Sequence, residues 1–355
     1  MSRSTGTSSL RQVGRSLSWL ALAAGLVMLF PAPPAAAQAP VTIKMASLLP
    51  AGSEGHNVLL QMAEDWKKAS GGRVILRIYP GQTMGDDPDV VRKMKLGSIQ
   101  AALLAAVGDI DPSVYALQVP MLYASYDEVD YVREKMSPRL NAALESKGLV
   151  VLNWTDAGWI HFFTKTPVAR PDDLRKLKLF TWAGNNEVIE MYKASGFNPV
   201  PLPSTEIATA LQTGLVTAMP APPQAAVLLQ WYTHAKNMTD VKWALLLGAT
   251  VISKDGWNRI PADLRPALLS ASEKAGRKLR DMSRANGMRD VEAMKKRGLS
   301  VVHIDGARET EWRKTAEAAY PKIRGKVIPA AAFDEAVKHL AEYRKSHPPA
   351  ATPAK

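Results

Sequence analysis

The chain has 355 residues, with 45 basic against 33 acidic side chains, a formal charge of +12, and no cysteine. That length suffices for two domains, each with its own core. The missing cysteine excludes a disulfide scaffold, a thiolate metal site, a cysteine nucleophile and a lipid anchor on an N-terminal cysteine.

Residues 1–37 read as an address. Arg3, Arg11 and Arg15 form a positive segment without an acid, and an apolar stretch of ~14 residues follows from Leu17 to Phe30. Prolines at 31, 33 and 34 and the small run Ala35, Ala36, Ala37 close it. This order is that of a cleavable secretory signal peptide, cut after Ala37. The apolar stretch is shorter than the ~20 residues that span a bilayer, which argues against a retained anchor. Removing three arginines leaves the mature chain at +9. At the other end, residues 343–355 are expected to form a disordered, Pro/Ala-rich tail.

Strands are expected at 41–48, 74–79 and 101–107, and helices at 56–70 and 88–96. The first helix carries Val58, Leu59, Met62 and Trp66 at helical spacing and stops at Gly71 and Gly72. A second set follows: strands at 150–154, 159–164 and 178–182, and helices at 185–195 and 204–214. One helical pattern then runs from 261 to 297 despite Gly276 and Gly287, each costing about 1 kcal/mol relative to Ala. At 1.5 Å per residue it is roughly 55 Å long, so it either spans two lobes or breaks at a glycine. Such strand–helix alternation defines an α/β fold with parallel sheets.

Sequence motifs for nucleotide, metallopeptidase or serine-hydrolase sites are absent, and six scattered histidines show no metal-ligand spacing. The acidic run Asp86, Asp87, Asp89 reads as a helix start, where carboxylates meet free N–H groups, before it reads as a cation site. Basic residues crowd the long helix, including Arg277, Arg280, Arg284 and Arg289. They alternate with acids and lack aromatics, so they describe a solvated face and no nucleic-acid groove. No catalytic constellation can be assembled, so an exported hydrolase is disfavoured, and no cofactor or metal is expected.

Six strings run collinearly: Ser70–Val74, Tyr79–Asp87, Lys95–Ile99, Val119–Tyr123, Arg170–Lys178 and Thr209–Gly214. Together they resemble the solute-binding P subunits of TRAP transporters, over essentially all of residues 41–340. The resemblance implies a two-lobe periplasmic binding protein, type II-like, with crossing hinge strands and a long interdomain helix that closes over a ligand. It assigns residues 38–157 plus 246–285 to lobe I, and 158–245 plus 286–342 to lobe II. It further implies a non-enzymatic monomer in the periplasm that hands a small-molecule ligand to TRAP membrane permease subunits and has no nucleic-acid partner. A periplasmic carrier of lipids or other hydrophobic ligands, without a TRAP permease, is the alternative.

The resemblance also locates ligand positions, and here the chain departs from the family. The arginine that pairs with the substrate carboxylate falls at Phe180, a second arginine at Ile160, and an asparagine at Ala221. First-lobe polar contacts fall at Ser47 and Ala105. The bidentate clamp for a carboxylate is therefore missing. Trp154, Trp159, Phe180, Trp182 and Met219 are expected to replace it, giving a site for an apolar, aromatic or lipid-like ligand rather than a small dicarboxylate. Lys44, His161 and Lys165 are the cations left that could rescue carboxylate binding.

Overall fold

The computed structural model describes residues 39–348; the expected signal peptide and the last seven residues of the expected tail lie outside them. In chain order the strands are β1 (Val41–Ser47), β2 (Val74–Tyr79), β3 (Ala101–Leu104), β4 (Leu149–Trp159), β5 (His161–Thr164), β6 (Lys178–Trp182), β7 (Asn198–Leu202), β8 (Ala218–Ala221), β9 (Asn237–Thr239), β10 (Leu245–Ser253) and β11 (Ser300–Val302). They form two sheets, ordered β2-β1-β3-β10-β4 and β11-β9-β5-β8-β6-β7. In the first, β1 runs parallel to β2 and β3, while β10 is antiparallel to β3 and β4. In the second, β6 is parallel to β7 and β8, and β5 is antiparallel to β8 and β9.

The chain passes from one sheet to the other at Ile160, between β4 and β5, and returns between β9 and β10. The two crossings are tied together. Ile160 N–H donates to Ala244 (2.8 Å) and Trp243 N–H donates to Ile160 (2.9 Å).

Each sheet is covered on both faces, as parallel strands require. Strand alternation sends Phe162 to one core of the second sheet, with Phe197, Trp243 and Trp312, and sends Phe163 to the other, with Phe180 and Met219. The first sheet packs Ile43, Met45 and Leu152 against helix Glu54–Ala69 and the long helix. Its other face meets helix Tyr126–Ser146 and the C-terminal helix Ala330–Ser346.

That last contact corrects two boundaries. Phe333, Ala336 and Leu340 join the first sheet's core, so this helix does not sit with the second lobe, and helical structure continues through 343–346 of the expected tail. Arg344 anchors it, donating to the buried carboxylate of Glu128 at 2.7 Å. β3 is also shorter than expected, because 107–109 turns into a single 3₁₀ turn.

The long helix Arg265–Lys295 is unbroken. Leu268, Ala275 and Leu279 pack under the first sheet, and Val291 and Met294 under the second, so it bridges both. Gly276 is set by contact: a Cβ there would lie 2.6 Å from the Asn153 side chain, which donates to the Ser272 carbonyl at 2.8 Å. Gly287 faces open space. Gly276→Ala is therefore expected to destabilise by about 1–3 kcal/mol, whereas Gly287→Ala stabilises by up to about 1 kcal/mol. Urea unfolding of the two variants checks the opposite signs.

Candidate ligand-binding site

Where the two sheets face each other, a cavity of about 80 Å³ is walled by both lobes. The first lobe supplies Leu48, Asp87, Ala105, Asp109, Tyr115 and Gln118; the second supplies Phe180, Thr181, Trp182, Asn185 and Tyr192. Ile160 lines it at the crossing, beside Pro220, Pro222 and Leu246. The Phe180 and Trp182 rings meet edge to face, 5.1 Å apart. Among the described residues, no lysine, arginine or histidine is on the wall. Lys44 and Lys165 point to solvent, and His161 lines a different groove, so none of the three supplies a cation here.

The charge that is present is negative. Asp87 opens helix Asp87–Lys95, yet its Oδ2 accepts from the N–H groups of Ala105 and Ala106, both at 2.7 Å. Its Oδ1 is buried without a partner. Burial pushes Asp87 up to about 6, against the lowering effect of those two N–H donors. Burial pushes Asp109 up to about 7; the Tyr115 hydroxyl lowers it less than burial and nearby Glu187 and Asp87 raise it.

Two links cross between the lobes beside this cavity. Tyr115 Oη contacts Asp109 and lies 3.0 Å from Asn185 Oδ1, which also accepts from the Val188 N–H at 3.1 Å. One hydroxyl hydrogen faces two acceptors, and a proton on Asp109 resolves this: the acid donates to Tyr115, and Tyr115 donates to Asn185. Asp86 forms the second link, accepting from the Ser204 N–H (3.1 Å) and hydroxyl (2.5 Å). The acidic run thus joins the lobes through Asp86 and lines the cavity through Asp87, and Asp86 makes no cap bond to its own helix. Gly108 makes room for this arrangement: a Cβ there would lie 2.5 Å from the Tyr115 ring.

Of the sequence-predicted residues, Ala105, Ile160, Phe180 and Trp182 line this cavity. Ser47 does not; its hydroxyl accepts from the Leu49 N–H at 3.1 Å, and Leu48 takes the wall. Met219 and Ala221 face the core beneath β8, while Pro220 and Pro222 face the cavity. Each of these is a one-residue phase error, which on a strand turns a side chain to the opposite face. Trp154 turns the other way, donating to Asn141 at 2.9 Å within the core of the first lobe. Trp159 packs tilted against Tyr126, with ring centroids 5.3 Å apart, and lines the separate groove that holds His161. Asp87, Asp109, Tyr115, Gln118 and Asn185 were not foreseen as site residues. Of these five, the sequence singled out Asp87 alone, within the acidic Asp86–Asp89 run.

Two sheets joined by crossing strands, with a cavity between the lobes, define a two-lobe α/β architecture. Residues 45–326 match the DctP family, described as bacterial extracellular solute-binding protein, family 7, and the chain belongs to that family. Its members bind solutes and are not enzymes. The 2,3-diketo-L-gulonate-binding periplasmic protein YiaO of Escherichia coli K12 is 26% identical over 237 residues, covering 65% of this chain and 71% of that one. The C4-dicarboxylate-binding periplasmic protein DctP of Rhodobacter capsulatus is 24% identical, covering 81% and 88%. Among solved structures, a TRAP periplasmic solute-binding protein from Sulfurospirillum deleyianum with bound succinate superimposes with a TM-score of 0.77 at 21% identity, covering 85% of this chain and 99% of that one.

Proposed function

We propose that this chain is exported by the signal peptide in residues 1–37 and works as the extracytoplasmic receptor of a TRAP-type transporter for a compact, largely apolar solute that carries no carboxylate. Closure of the lobes over the solute is the state a membrane permease reads. The observation that carries the ligand class is the cavity wall, with Phe180, Trp182, Ile160 and Tyr192 but no basic side chain. A carboxylate held there would lose its hydration without gaining a cation, a cost of several kcal/mol, and would meet Asp87 and Asp109. The relatives named above bind 2,3-diketo-L-gulonate, C4-dicarboxylates and succinate. At the position where the resemblance expects an arginine, this chain carries Phe180.

The small cavity favours a compact molecule over an acyl chain: about 80 Å³ holds on the order of half a dozen waters. That turns the reading away from a lipid carrier. Native mass spectrometry of the protein purified from its host tests the proposal. A copurified small molecule without a carboxyl group is the expected result; a dicarboxylate or sugar acid overturns it.

A further inference from the structure

The cavity wall lacks a basic side chain among the described residues and carries two carboxyl groups, Asp87 and Asp109. We infer that the polar end of the ligand is an ammonium group, a protonated amine held by the carboxylates of Asp87 and Asp109. This inference rests on the reading of a solute without a carboxylate and adds the charge that solute bears. Asp87 is 7% exposed and its Oδ1 has no partner, although it belongs to a residue on the cavity wall. A buried carboxylate oxygen left bare is costly, and an N–H donor with positive charge is the partner that removes most of that cost. Asp109 lies on the same wall, and among the described residues neither acid is ion-paired with a basic side chain.

The surroundings reinforce the negative field. Asp86 stands beside Asp87 on the same helix start, and Glu187 faces Asp109 from helix Asn186–Ala194. Tyr115 contributes only a neutral hydroxyl. Lys95, Lys147 and Lys254 line the adjoining outer groove together with Asp255, and Lys254 is paired with Glu145 at 3.2 Å. Gln118 Nε2 and Thr181 Oγ1 are further buried atoms of wall residues without partners among the described residues.

An ammonium group also changes the proton balance. Both acids hold part of their protons near neutrality, about 6 for Asp87 and about 7 for Asp109. A bound cation favours the ionised forms, so binding releases protons and tightens as pH rises from 5.5 to 8. An alkylamine stays protonated throughout, since its ordinary pKa lies near ~10, as for lysine.

Calorimetric titration of the protein with benzylamine, benzyl alcohol and benzoate, which share a ring and differ in charge, tests the inference. Benzylamine is expected to bind at least tenfold tighter than the alcohol. Its affinity should rise with pH, and its heat should vary with the buffer's ionisation heat as protons leave. Asp109→Asn should weaken benzylamine at least tenfold more than it weakens benzyl alcohol. Should that variant fold poorly, the pH profile and proton release of the unmodified protein decide alone. Equal binding of amine and alcohol, or binding of neither, overturns the ammonium assignment while the carboxylate-free reading stands. Tightest binding of benzoate overturns both.

Discussion

Replacing Arg284 by methionine is expected to lower the unfolding free energy by about 3–5 kcal/mol, the loss typical of a buried ion pair stripped of one partner. Arg284 leaves the long helix to donate to Asp130 at 2.6 and 2.9 Å and to Asp156 at 2.7 Å. The Asp156 side chain is fully buried, and its other oxygen has no partner. Burial holds the Asp156 carboxyl above its usual range even with the guanidinium against it. At Asp130 burial raises the carboxyl most, but the bonds from Arg284 together with the charges of Arg133, Arg284 and Arg280 outweigh it and hold the group below its usual range. The guanidinium also stacks over the Tyr126 ring at 4.4 Å. Three elements therefore meet on one cation beside the interlobe crossing. Adding Asp156→Asn to the methionine variant should recover part of the loss, because it removes the stranded charge. Chemical unfolding of both variants measures this; a loss below about 1 kcal/mol for the single variant would contradict the account.

Phe180→Ala carries the second large effect. The ring is fully buried between the core of the second sheet and the cavity, so truncation should cost about 3–5 kcal/mol. Phe180→Leu should cost about 1 kcal/mol, because it keeps most of the volume. Trp182 is only partly buried, and Trp182→Ala should destabilise less than Phe180→Ala. The contrast separates a residue that holds the second lobe together from one that mainly shapes the ligand wall, and thermal or urea unfolding of the three variants reads it.

The long elements were legible from local pattern. The helix at 54–69 shows its buried stripe at helical spacing, and the long helix runs almost the length its pattern predicted. Within the site, legibility stopped at strand phase. Locating β8 does not say whether Met219 or Pro220 faces the cavity; pairing with β5 and β6 decides that. Trp154 shows the same limit, since its partner Asn141 sits on a helix whose apolar signal is weak and which the sequence reading passed over. Arg280 and Arg284 were read as part of a solvated face; they turn inward because the Trp154 carbonyl and the Asp130–Asp156 pair receive them.

The acids of the cavity were hidden for a different reason. Asp109 looks like any loop aspartate until Tyr115, Glu187 and Asp87 are brought around it from three other segments. Asp87 looked like a helix-start residue, and its binding to the N–H groups of Ala105 and Ala106 depends on β3 ending where it does. Ala105, Ile160, Phe180 and Trp182 are the cavity residues that the resemblance located in the sequence. The carboxylates on the same wall are a product of tertiary structure.

Titration of the protein with succinate and D-glucuronate tests the central claim most directly, because both are carboxylates bound by solved proteins of the same fold. The cation-free wall predicts dissociation constants weaker than about 1 mM for both, at most about 4 kcal/mol of binding free energy. Submicromolar binding of either acid would contradict it.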